Sequence, residues 1–220
     1  MCNINKNNFI KFFFFLFIVK PFILWALGIN VRGMEKLPKN GPAIIVANHN
    51  SHIDTLIIMS LFPCSTILNI HPIAAEDYFC NTKFKEFLFK TLIGIIPIKR
   101  KVVRLPKREI FKEINTALEN NEIIILYPEG TRGEDNKLND FKTGIAHIAA
   151  MNPNVPIIPL YINGPDKILP KIDAILVPFI SDIYIADSIY YDNSATKIFT
   201  EKIRNIIEDL MLTHKRKETL

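Results

Sequence analysis

The sequence predicts an α/β fold: a mostly parallel or mixed central sheet flanked by helices, with an N-terminal membrane-embedded helical segment in front. Three observations support it. Short apolar runs alternate with stretches of helical period after residue 30. Polar residues able to carry chemistry stand directly after several of those runs, where ligands gather in sheets of this kind. The first thirty residues are oily and scarcely charged.

Residues 9–29 read FIKFFFFLFIVKPFILWALGI, with only Lys11 and Lys20 charged. A cleaved signal would need small residues after the first apolar block, and Lys20-Pro21-Phe22 is a poor cleavage site. A spanning helix needs about 20 apolar residues. Lys20-Pro21 falls in the middle of the run. A soluble core helix would leave Phe12 to Phe15 without a polar face. The expectation is two short helices broken at Lys20-Pro21 and dipping into one leaflet. Lys11 and Lys20 would then snorkel, and Trp25 would sit at the interface.

Strands are expected at 43–47, 72–75, 95–98, 123–127, 156–161 and 183–186. Helices are expected at 54–62, 82–92, 107–119, 143–151 and 195–213. No repeat and no long linker follows residue 30, so two parts suffice: a membrane-associated segment, 1–29, and one globular domain, 30–220.

The charge is mildly basic, with Lys+Arg 27 against Asp+Glu 22. The tail His214-Lys215-Arg216-Lys217 suits anionic surfaces, but no RNP-like aromatic pattern or zinc-finger spacing points to nucleic acid. Cys2, Cys64 and Cys80 match no metal or redox motif and read as free thiols in a reducing compartment. There is no Gly-x-Ser-x-Gly elbow and no GxxxxGK[ST] loop. Ser51 as a nucleophile, with His49 or His52 as its base, would need a strained turn. Zinc on His49, His52 and Asp54 lacks further ligands at a suggestive spacing.

The most telling residues follow the run at 43–47: Asn48-His49-Asn50-Ser51-His52-Ile53-Asp54. A histidine steered by a carboxylate is the working unit of a general base. On one helix, residues five apart point about 140° away from each other. On one strand they lie roughly 16 Å apart. His49 and Asp54 therefore meet only if the chain turns, and Asn50-Ser51-His52 supplies turn and cap chemistry. A second cluster, Tyr127-Pro128-Glu129-Gly130-Thr131-Arg132, follows the run at 123–126. Gly130 permits close backbone approach, Thr131 offers a hydroxyl and Arg132 a planar fork for phosphate. Lys99-Arg100-Lys101 ends the run at 95–98, and Lys142 stands at a helix start, where anions are favoured.

Taken in order, these blocks resemble the glycerolipid acyltransferase family, which includes the 1-acylglycerol-3-phosphate acyltransferases. Its N-H-x-S-x-x-D pattern is matched by Asn48, His49, Ser51 and Asp54. Its second block is resembled from Gly94 to Arg100. F-P-E-G-T-R is matched from Pro128 to Arg132, with Tyr127 for Phe, and V-P-I-x-P from Val155 to Pro159. Departures are Gly133 for the usual Ser, and Ala74-Ala75-Glu76-Asp77 where many members carry a lysine.

The resemblance implies transfer of a fatty acyl group from acyl-carrier protein or coenzyme A to the sn-2 hydroxyl of 1-acylglycerol-3-phosphate, giving phosphatidic acid. It implies His49 as general base, Asp54 as its orienting partner, and Arg132 with Arg100 on the acceptor phosphate. Glu129 and Gly130 would shape the glycerol pocket, and Asn48, Ser51, Thr131 and Lys142 would complete the substrate site. No metal and no cofactor beyond the thioester is implied. The partners would be a lysolipid, the thioester carrier and a membrane surface, at the cytoplasmic face of the cell membrane. Alternatives are another lysolipid acceptor, a hydrolase passing the thioester to water, and a non-catalytic lipid-binding protein.

Overall fold

The structure is a computed structural model that describes residues 6–51, 53–76, 83–98, 106–133, 137–164 and 179–218. A seven-stranded sheet organises it, in the order β1-β7-β6-β2-β5-β3-β4. The strands are β1 (Leu27–Arg32), β2 (Ala43–Ala47), β3 (Ile70–Ala75), β4 (Ile96–Ile98), β5 (Ile123–Leu126), β6 (Ile157–Asn163) and β7 (Phe179–Ile185). All neighbours run parallel except β6 and β7, which pair antiparallel. The sheet is therefore mixed and mostly parallel, with β2 at its centre.

Alternate residues of the central strands feed two cores, as the two-residue period of a strand requires. On one face, Ile45 of β2, Ile125 of β5 and Leu160 of β6 pack with Phe15, Val19, Ile57 and Ile58. On the other, Ile44, Ile124 and Tyr161 pack with Ile114, Ile148, Phe199 and Ile203. Helices α3 (Asp54–Ser60), α4 (Cys64–Ile67) and α5 (Lys83–Leu92) follow in chain order, then α6 (Lys107–Ile110), α7 (Lys112–Glu119), α8 (Gly144–Met151) and α9 (Thr196–Glu218). The helix expected at 107–119 is two, α6 and α7. Phe111 separates them (φ −100°, ψ 13°) and lies against Gly144 at the start of α8.

At the N-terminus the break expected at Lys20-Pro21 does not form. Helix α1 (Lys6–Phe14) runs through a π-helical turn, Phe15–Val19, into α2 (Lys20–Ala26). The Lys20 N–H bonds back to the Phe15 carbonyl, five residues earlier. A proline ring clashes with the carbonyl four residues before it. The wider turn moves that carbonyl aside, so the helix absorbs Pro21 rather than ending there. Taken singly, none of these three segments, and no other helix among the described residues, is long and apolar enough to cross a membrane.

Neither lysine snorkels. Lys11 is 3% exposed and donates to the Ile70 carbonyl at 2.7 Å. Lys20 donates to the Phe62 carbonyl, just past the end of α3, at 2.7 Å. Each ammonium donates to a backbone carbonyl close at hand, so it is hydrogen-bonded where it lies. The tail of the oily run, Leu27 to Ile29, is strand rather than helix, because β1 pairs along β7. The side chain of Trp25 lies outside the described residues.

Candidate active site

β2 ends at Ala47, and Asn48 fastens that end. Its side chain donates to the Ile162 carbonyl at 2.9 Å and accepts from the Ile162 N–H at 2.8 Å. Both polar ends serve the β6 backbone, so Asn48 fixes where His49 emerges.

The chain then turns, as the spacing required. Asp54 opens α3 and is 1% exposed. Its Oδ2 accepts from the Asn50 N–H at 2.8 Å and the Ser51 N–H at 2.8 Å, and His49 Nδ1 lies 3.0 Å away. The carboxylate also sits at a helix N-terminus, where the backbone field favours negative charge. An Asp held this way takes the Nδ1 proton of imidazole as its donor, which leaves the Nε2 lone pair for chemistry. Ser51 is buried, and its Oγ accepts from the Ile53 N–H at 3.4 Å. Its place is in the turn that closes the dyad.

β5 delivers the second cluster beside the first. Glu129 is 3% exposed and accepts from the His49 N–H at 2.9 Å and the Asn139 N–H at 3.1 Å. Burial raises its carboxyl pKa, and the two N–H groups hold the rise back. Returning the contact, the Gly133 N–H donates to the His49 carbonyl at 2.8 Å. The turn 129–133 is thus stitched at both ends to the residue that carries the imidazole. Gly130 has φ +71°, and a Cβ there would collide with the Lys142 side chain. The positive φ is what favours glycine, since the flexible end of Lys142 can move aside. Thr131 and Arg132 are exposed at the tip, and the Lys142 N–H donates to the Pro128 carbonyl at 2.9 Å. Lys142 and Arg132 therefore bring two cations to one turn. Arg100 and His52 lie outside the described residues.

Two contributors were not singled out from the sequence. Asn139 grips Glu129 from ten residues away, and no short-range pattern announces it. Tyr127 stacks on the His49 ring, with centroids 4.2 Å apart and planes 22° apart. Its only sequence signal was the replacement of Phe. Among the described residues no group of three His, Cys, Asp or Glu side chains is placed to hold a metal ion.

A family model described as Acyltransferase matches residues 28–163, which takes in both clusters. The chain belongs to the acyltransferase family. It is 30% identical over 148 residues to the chloroplastic 1-acyl-sn-glycerol-3-phosphate acyltransferase LPAT1 of Arabidopsis thaliana, covering 64% of this chain and 38% of that protein. It is 27% identical over 156 residues to the 1-acyl-sn-glycerol-3-phosphate acyltransferase of Limnanthes douglasii, covering 67% and 50%. With 1-acyl-sn-glycerol-3-phosphate acyltransferase alpha of Homo sapiens the figures are 29% over 141 residues, covering 64% and 47%. The matched part thus spans half or less of these relatives' length. The crystal structure of the 1-acyl-sn-glycerophosphate (LPA) acyltransferase PlsC from Thermotoga maritima superposes with a TM-score of 0.73 at 23% identity, covering 95% of this chain and 79% of that one. The two share a fold.

Proposed function

We propose that this acyltransferase moves a fatty acyl group from a thioester to the sn-2 hydroxyl of 1-acylglycerol-3-phosphate, making phosphatidic acid for phospholipid synthesis. The observation that carries the reading is the His49 Nδ1–Asp54 Oδ2 contact of 3.0 Å, which leaves Nε2 as the base. His49 takes the acceptor hydroxyl's proton as the oxygen attacks the thioester carbonyl. The tetrahedral intermediate collapses, the C–S bond breaks, and the imidazolium returns its proton to the departing thiolate. Asp54 orients the ring and stabilises its charged form. Arg132, Lys142 and Arg100 bind the acceptor phosphate. Glu129 and Gly130 shape the glycerol pocket. The donor is acyl-carrier protein or coenzyme A.

The N-terminal helix supports a membrane partner. Phe15, Val19 and Ile23 turn inward, while Phe9, Phe13, Phe17, Ile18 and Phe22 face out, Phe17 at 65% exposure. Helix α5 packs against α1 and adds exposed Phe87 and Leu88. An apolar face this broad suits one leaflet of a bilayer, where acceptor and product reside. A cytosolic thioester donor and the free thiol of Cys64 favour the cytoplasmic face of the cell membrane.

The test is purified protein in detergent with labelled acyl-coenzyme A or acyl-carrier protein and a panel of acceptors. Lysophosphatidic acid should be the preferred acceptor. Zwitterionic lysolipids belong in the panel because Glu76 follows β3, where an acid opposes phosphate. Preference for one of them would move the acceptor. Thioester loss without a diacyl product would make the protein a hydrolase.

A further inference from the structure

The stack of Tyr127 on His49 belongs to a closed circuit of contacts. His49 meets Asp54 through Nδ1, and Asp54 is followed in the chain by Thr55. Thr55 Oγ1 lies 2.9 Å from the Tyr127 hydroxyl, and the Tyr127 ring lies back on the imidazole at 4.2 Å. The side chain covering the imidazole is thereby tied to the neighbour of the carboxylate that steers it. Three elements meet in this circuit: the ends of β2 and β5 and the start of α3.

We propose that Tyr127 is a positioning residue for His49, its tethered ring fixing the imidazole plane against Asp54 and facing the positive charge that His49 gains during proton transfer. The inference rests on the reading of His49 as general base. A cation held over a phenol face is attracted by the ring's quadrupole. Neutral imidazole gains little from that face, and imidazolium gains more. The contact therefore strengthens as the proton moves, which is the kind of interaction that raises kcat. The phenol does not act as an acid or base itself. Burial, and then the Asp54 charge, push its pKa well above the ordinary range, against the opposing pull of the Thr55 bond. What Tyr127 presents to His49 is a neutral ring. The hydroxyl tether is an addition, because the resembled family pattern places Phe here.

The test uses the full chain and compares wild type with Tyr127→Leu, Tyr127→Phe, Thr55→Val and the Tyr127→Phe/Thr55→Val double variant. Tyr127→Leu should lower kcat about tenfold with KM for acceptor and donor held within about twofold. Tyr127→Phe and Thr55→Val should each lose about two- to threefold. The double variant should lose no more than either single, because both remove the same bond. A second arm needs no turnover. The His49 Hε1 proton resonance, assigned by its absence in His49→Ala, should sit upfield under the Tyr127 ring, stay upfield in Tyr127→Phe and move downfield in Tyr127→Leu. Wild-type kcat in Tyr127→Leu, a loss that appears wholly in KM, additive losses in the double variant, or an unmoved His49 resonance would overturn the proposal. If Tyr127→Leu does not fold, the Phe and Val cycle decides the matter alone. A wild-type protein that transfers no acyl group would defeat the general-base reading, while the resonance arm still reports on the stack.

Discussion

Asparagine in place of Asp54 would keep the side chain's size and an acceptor for the Asn50 and Ser51 N–H groups. The amide N–H, however, would face or displace the imidazole N–H, and the tautomer with a free Nε2 lone pair would lose its support. Asp54→Asn should therefore lower kcat by roughly a thousandfold, with a small change in thermal midpoint. Asp54→Ala should also lower the midpoint, because the part-buried Asn50 N–H and the buried Ser51 N–H lose their partner. Circular dichroism melts beside the kinetics separate the two effects. At Gly130, alanine would take an unfavourable positive φ and push the flexible end of Lys142 aside. Gly130→Ala should raise KM for the acceptor by an order of magnitude or more, as the turn and its cations shift. Unchanged acceptor KM would place the phosphate elsewhere.

The N-terminal helix is fastened from within by Lys11, whose amine is buried beside β3. Burial lowers its pKa from 10.5 to about 7, and Glu122 partly opposes the shift. Between those values the unfolded chain binds more protons than the folded one, so stability rises with pH. The gain is complete above 10.5 and is lost as pH falls toward 7. Its size is on the order of a few kcal/mol. Denaturant melts should show wild type gaining stability from pH 7 to 10 and Lys11→Met staying nearly flat. Equal slopes would mean that Lys11 is solvated. The outer face of the same helix makes a separate prediction. Phe17→Glu with Ile18→Glu should cut sedimentation with vesicles severalfold without moving the melt. Retained binding would leave the apolar face without its membrane role.

Elements differ in how much of them could be read in advance. β2, β5 and β6 were legible because each is a short isoleucine-rich run, largely buried on both faces, with Asn48, Pro128 and Asn163 marking their ends. β1 was not, because Leu27 and Ile29 continue the apolar run, and Gly28 ends a helix without saying that a strand follows; pairing with β7 makes them strand. The direction of Lys11 was equally hidden, since its partner Ile70 lies 59 residues away. The dyad was legible because five-residue spacing across a turn is a local constraint. The grip of Asn139 on Glu129 and the ring of Tyr127 on His49 depend on how separate loops cross, which no spacing encodes.

For the whole molecule, one arrangement joins these parts. A mixed sheet sets the ends of β2 and β5 side by side, and the loops that leave them exchange hydrogen bonds through His49, Glu129 and Gly133. The N-terminal helix covers one face of that sheet and packs against α3, the helix that begins with Asp54. Helix α3 thus carries the carboxylate partner of His49 and also supports the helix that presents the apolar surface. The most direct test of this account is single-turnover acyl transfer from a labelled thioester to lysophosphatidic acid, with diacyl product and free fatty acid resolved, for wild type and His49→Ala. The expected result is diacyl product from wild type and a loss of at least about a hundredfold in the variant, with its fold and vesicle binding intact. Equal rates from the two proteins, or free acid as the wild-type product, would contradict it.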